Sequence, residues 1–267
     1  MSNLTWTKNY DELGFNDDFM FGITMQDSEL CREVIERLTE QSVGHLQDVH
    51  PQKEFRFTSD GKPIKLDIYT RDDHTVYDAE MQNLNRKSVK SLELPRRTRF
   101  YQSSIDMDHI NRGNPFSTLP DSKILFICTF DPFGLGLPKY TFRECCNEES
   151  TLVLSDGTEK VFFNCCYTGK NISKELRNFY EYVKYGTVTD ELTERLNAAV
   201  CEARKNEEWR SRYMKERLIL QDAKEEGREE GREEGREEER KNTEKEHKRA
   251  EAAEAKVKEL EKLLAQK

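Results

Sequence analysis

The chain has 267 residues, 35% of them hydrophobic and 36% charged, with a formal net charge of −9. That is too polar for one compact globule of this length. The negative balance also excludes a protein coated in nucleic acid, because phosphate binding rests on neutralisation by Lys and Arg, although a local basic groove remains open.

The excess charge is concentrated at one end. Residues 221–267 carry 16 acidic and 13 basic side chains, leaving −3 on this tail and −6 on the body. A body of residues 1–205 and a charged helical tail of residues 206–267 are therefore expected. The first ten residues hold no apolar run of the signal-peptide kind. The most apolar stretch, residues 124–130, is far shorter than the ~20 residues a membrane span needs. Seven cysteines, an odd number without an export signal, point to reduced thiols and a cytoplasmic protein with no membrane partner. The adjacent pairs Cys145-Cys146 and Cys165-Cys166 read as buried or half-buried thiols on strands, since paired zinc ligands usually have two to four residues between them.

In chain order, Asn16-Asp17-Asp18 precedes the apolar segment 19–23, and Gln26-Asp27-Ser28 offers a second helix start. Leu30, Val34, Ile35 and Leu38 recur at helical spacing, and this helix ends near residues 42–44. Three strand-like runs follow, at 54–58, 63–70 and 75–82. The second alternates Ile64, Leu66 and Ile68 against Lys65, Asp67 and Tyr69. The third sets Tyr77, Ala79 and Met81 against Val76, Asp78, Glu80 and Gln82. The polar turn 71–74 joins them into a hairpin. Residues 86–112 read as one or two helices, broken near Pro95. The continuous apolar run 122–130 suits a central buried strand. A further hairpin is expected from 152–154 and 160–166 across Asp156-Gly157, then helices at 173–185 and 191–220.

The tail opens with Glu-Glu-Gly-Arg repeats, in which Gly227, Gly231 and Gly235 lie four apart. Their i,i+3 Glu–Arg pairs contribute a few tenths of a kcal/mol each, while every glycine costs about 1 kcal/mol relative to alanine, so this helix is marginal and solvated. Ala250, Ala253, Val257, Leu260 and Leu264 then step by three and four. This seam offers a short coiled coil over 244–265 and a homodimer through the C-terminal helix.

If the hairpin closes around Asp73-His74, residues whose numbers sum to 147 lie opposite one another, and Asp67 and Glu80 are such a pair. Their Cβ atoms would then be roughly 4.5–5.5 Å apart. Like charges directly opposed on a sheet repel, and a divalent metal offsets that; a solvated pair on a polar outer face is the plainer alternative. A one-residue slip of register removes the juxtaposition.

These residues carry a family resemblance. Ile64-Lys65-Leu66-Asp67-Ile68-Tyr69 followed by Val76-Tyr77-Asp78-Ala79-Glu80-Met81-Gln82 resembles the D…E-x-Q motif of the PD-(D/E)XK family transposases, also called Rpn-type recombination-promoting nucleases. Asp18-Phe19-Met20-Phe21 is similar to that family's opening. Arg97-Thr98-Arg99-Phe100-Tyr101-Gln102 is similar to its following helix, Phe126-Ile127-Cys128-Thr129-Phe130-Asp131-Pro132-Phe133 to its core strand, and the Glu-Gly-Arg-Glu repeats to its tail. The resemblance spans nearly residues 15–240.

It implies an α/β fold with a restriction-endonuclease-like αβββαβ core, an added β-hairpin and helices, and a long charged C-terminal helix. It implies a magnesium-dependent DNA endonuclease, with manganese as a substitute, linked to DNA recombination or mobile elements. Asp67 and Glu80 would bind the metal. Gln82 stands where related nucleases have lysine; it can align a water but brings no charge, which lowers the expected rate. Asp18 is an extra carboxylate, with Glu33 or Glu36 as alternatives. The basic helix carrying Arg86, Lys87, Lys90, Arg96, Arg97 and Arg99 against Glu93 reads as a DNA-contacting face. Arg99 and Gln102, three apart, are expected to face the site, and Tyr101 to pack. The competing expectation is a non-catalytic interaction protein, in which a degenerate nuclease fold presents the helical tail to partners.

Overall fold

A computed structural model describes residues 8–55, 64–83 and 93–265, apart from the side chains of 252, 254–256 and 258–265. The chain divides into two units, Met1–Arg210 and Ser211–Lys267. Among the described residues, no helix is long and apolar enough to cross a membrane.

Helix α1 (Asp18–Thr24) and helix α2 (Ser28–Thr39) begin where Asp17 and Asp27 stand as caps. The Asp27 carboxylate accepts from the Glu29 and Leu30 N–H groups, which are orphan donors of the first turn. Glu40 ends α2 in the left-handed conformation at φ 54°. Three strands follow: β1 (Gln47–Phe55), β2 (Ile64–Arg71) and β3 (Thr75–Gln82). Helix α3 (Glu93–His109) leads to β4 (Asp121–Cys128), then β5 (Lys139–Phe142) and β6 (Thr158–Asn164). Helices α4 (Lys174–Tyr185), α5 (Glu191–Lys205) and α6 (Glu207–Ala265) complete the chain.

The strands form one mixed sheet in the order β1-β2-β3-β4-β6-β5. β3, β4 and β6 run parallel, and the other neighbours antiparallel. Parallel strands are covered on both faces, so β4 reads as a continuous apolar run with Ile124 to Cys128 all buried. One face lies under α3, where Leu94, Tyr101 and Ile105 pack with Val76, Ile124, Phe126 and Phe162. The β2–β3 register pairs Ile68 with Ala79, Tyr69 with Asp78, Thr70 with Tyr77 and Arg71 with Val76, the sum-147 register expected of the hairpin.

Several expectations are corrected. The first strand starts at Gln47, not 54, while its expected end at 58 lies outside the described residues. It is an edge strand that tolerates Pro51 and shifts register between Gln47 and His50, which hides it from an alternation pattern. Alternation in β2 gives way to continuous burial of Ile68, Tyr69 and Thr70. Asp78, Glu80 and Gln82 do not form an outer polar face, because they are buried. Pro95 does not break α3, since it sits in the first turn, where its missing N–H has no intrahelical acceptor. Residues 152–154 form no strand beside β6: Val153 makes only an isolated bridge to Cys145, and the antiparallel partner is β5. The expected helix over 191–220 is two helices, parted at Asn206, whose side chain accepts from the Glu208 and Trp209 N–H groups. All seven cysteines are free; Cys145 is exposed, and Cys165 and Cys166 follow the end of β6 rather than lying within it.

Tyr213 is buried, and from Gln221 onward the second unit is a solvated stretch of helix. Ala250, Ala253 and Val257 are exposed, and the side chains of Leu260 and Leu264 lie outside the described residues.

Candidate functional site

The regular β2–β3 ladder stops at Ile68 and Ala79. One residue further on, two side chains take over from the backbone. The Asp67 N–H donates to Glu80 Oε1 at 2.8 Å, and the Met81 N–H donates to Asp67 Oδ2 at 3.0 Å. The carboxylates of Asp67 and Glu80 thus cross reciprocally between the two strands. They share one locality, with Glu80 1% exposed and Asp67 half-buried.

Asp18 joins them from the first turn of α1. Its charge raises the proton affinity of Asp67, after burial and the Glu80 charge. The start of α1 is held in place from both sides. Asp17 binds the Lys8 ammonium at 2.9 Å and accepts from the Gly14 N–H at 2.8 Å. The Asn83 amide donates to the Asn16 carbonyl, and Thr129 donates to Asn83 Oδ1 at 2.9 Å. The alternatives for the extra carboxylate sit elsewhere: Glu33 pairs with Arg195, and Glu36 with Arg32 and the Val43 N–H.

Arg97 reaches the site from α3. Its Nη2 lies 3.2 Å from Glu80 Oε2, and its Nη2 and Nε contact the Tyr101 hydroxyl at 2.5 and 3.1 Å. The guanidinium also stands over the Tyr101 ring, 5.2 Å from its centroid. Tyr101 therefore both packs, stacking on Phe126, and positions Arg97. Arg99 is exposed, as is Arg96. Gln102 is buried and engaged with Ser122 (2.7 and 2.9 Å) and Asp106 (2.9 Å). Spacing of three put Arg99 and Gln102 on one side of the helix, but the side that meets Glu80 carries Arg97 and Tyr101, spaced by four. Arg86, Lys87 and Lys90 lie outside the described residues.

Sequence reasoning left Asp78 without a role. Asp78 is fully buried, and neither of its oxygens has a hydrogen-bond partner among the described residues. Its neighbour Glu80 is also an acceptor when ionised, so a bond between the two requires a proton on one of them. Gln82 is 5% exposed with its Oε1 likewise unpartnered. The signal was available, because Asp78 and Glu80 are two apart on one strand and share a face.

Charge explains the electrostatics. Burial and the neighbouring carboxylates push Asp67, Asp78 and Glu80 well above the ordinary carboxylate range, and burial with the Asp17 charge raises Asp18 to about 6. Among the described residues one guanidinium, that of Arg97, faces four carboxyl groups, so the group tends to hold protons or draw in a cation. As arranged, no three carboxylate, imidazole or thiol groups among the described residues are set to hold a metal ion. No protein-family model, curated protein or solved structure matches the chain.

Proposed function

We propose that the first unit is a metal-dependent endonuclease that hydrolyses DNA phosphodiester bonds, built on the restriction-endonuclease-like core that its motifs resemble. The observation that carries the reading is the reciprocal crossing of the Asp67 and Glu80 carboxylates where the β2–β3 ladder ends. Two neighbouring strands thereby direct acidic groups to one point, with Asp18 beside them.

A divalent cation suits the donor chemistry. Asp18, Asp67, Asp78, Glu80 and Gln82 offer oxygen donors only, which magnesium and manganese favour. The oxygens of Asp78 and Gln82 Oε1 are buried acceptors that lack a counterpart among the described residues. Asp67 and Glu80 would hold the cation, which when bound would polarise the scissile phosphate and acidify a water. Gln82 aligns that water through its amide, and Arg97 takes a phosphate oxygen. The link to recombination rests on the motif resemblance alone.

A second reading is favoured by one observation, the pairing of Glu80 with Arg97, which resembles a closed structural ion pair. On it, the chain is a non-catalytic interaction protein that presents its helical tail.

Supercoiled plasmid incubated with magnesium or manganese separates the two. The native protein nicks it, and Asp67→Asn, which keeps an acceptor for the Met81 N–H, falls below detection with its circular dichroism unchanged. Cutting by both proteins assigns the activity to a contaminant. Cutting by neither, in either metal, leaves the interaction protein.

A further inference from the structure

Glu80 has two carboxylate oxygens with different occupants. Oε1 accepts from the Asp67 N–H, a main-chain donor whose position is set by β2. Oε2 is held by Arg97 Nη2 at 3.2 Å. Any cation that ligates Glu80 through the oxygen not tied to backbone therefore meets a guanidinium already there. Arg97 is itself poised to move. It comes from a helix rather than from the sheet, and its side chain is 28% exposed against 1% for Glu80. Among the described residues its remaining bonds are to one hydroxyl, that of Tyr101. Its hydrogen bonds among the described residues run through Nε and Nη2, which leaves Nη1 as the donor for an arriving oxyanion.

We infer that Arg97 is an internal stand-in for the cation, and that cation and phosphodiester bind cooperatively because each draws this one side chain off Glu80. This deepens the nuclease reading and rests on it. In the resting state the guanidinium offsets the buried charge of Glu80, where an unpaired carboxylate would be costly. A phosphodiester engages Nη1 first, and the planar fork then turns to grip it with two parallel hydrogen bonds, as guanidinium does with phosphate. Glu80 Oε2 is released at the moment the substrate is in place. The coupling is reciprocal by linkage, so the phosphodiester tightens cation binding by the same factor as the cation tightens phosphodiester binding. The arrangement keeps the site closed to metal when there is nothing to cut.

The test is manganese binding to the full chain, followed by electron paramagnetic resonance, with and without dimethyl phosphate as the phosphodiester probe. Four proteins are compared: native, Arg97→Gln, Arg97→Lys and Asp67→Asn. Removal of the competing charge in Arg97→Gln strengthens manganese binding about tenfold and abolishes the effect of dimethyl phosphate, whereas dimethyl phosphate tightens manganese binding to the native protein about fivefold or more. Arg97→Lys guards against a folding defect, because it keeps the charge. It binds manganese like the native protein, but loses most of the phosphate effect along with the fork. If Arg97→Gln binds manganese no more tightly than the native protein while Asp67→Asn abolishes binding, the stand-in role is overturned and the metal site stands. If Asp67→Asn binds manganese as the native protein does, or no protein binds it, the metal site falls and the stand-in with it.

Discussion

Asp131 and Asp78 are carboxylates of the same unit with opposite surroundings. Asp131, in the loop after β4, accepts from the Phe133, Gly134 and Gly136 N–H groups at 3.2, 2.8 and 2.9 Å and from the Tyr140 hydroxyl at 2.7 Å. Burial by itself raises its proton affinity, and these four donors outweigh it, holding Asp131 below the usual range. Asp190 follows the same plan. Burial opposes ionisation, but the Thr193 N–H, Arg37, Asn178 and the Thr193 hydroxyl together bring it down to about 2. Asp78 is more deeply buried than either and receives no donor among the described residues. A carboxylate that shapes a loop or caps a helix is supplied with donors. One left without them in the interior is kept at a cost, which makes the cluster around it the place to look for chemistry rather than for support.

The largest effect expected from this contrast is on the supplied side. Asp190→Ala removes the cap of α5 and the partner of the mostly buried Arg37, and should cost about 2–3 kcal/mol in urea denaturation. A loss below a few tenths would mean that the donors around Asp190 only decorate it.

The pH response sharpens the contrast, because the two classes move in opposite directions. Asp190 is depressed, so its contribution is present above its unfolded value near 3.8 and is lost as pH falls towards about 2. Asp18 is raised, so its contribution is present below that value and is lost as pH rises through about 6. In chelator, the thermal midpoint should therefore decline between about pH 4 and about pH 6, and Asp18→Asn should flatten part of that decline. A midpoint that climbs over this interval would show that the acidic group is not crowded as described.

The smallest effect is a gain. Asp78→Asn exchanges a donor-less carboxylate for an amide that can donate to Glu80, and should stabilise the metal-free protein by about 1 kcal/mol at pH 8. A loss comparable to that of Asp190→Ala would erase the distinction between the two classes.

The hairpin register was legible in the sequence, because strands of period two around the short polar turn 71–74 leave few ways to oppose one another. Numbering alone brought Asp67 and Glu80 together, one step beyond the last ladder pair. The buried run of β4 and the cap at Asp27 were equally plain, since burial on both faces and orphan helix donors leave local marks. The identity of the basic residue that meets Glu80 was not. Arg96, Arg97 and Arg99 are adjacent on one helix and chemically alike, and only the docking of α3 on the sheet turns Arg97 inward and leaves the other two in solvent. The fate of Asp78 was hidden for the same reason. Alternation says which residues share a face, but whether that face meets water or a helix depends on what the rest of the chain lays over it. Burial is a property of the packed layers, so the sequence determined which acidic groups stand together, and the tertiary structure alone decided that they stand together out of water.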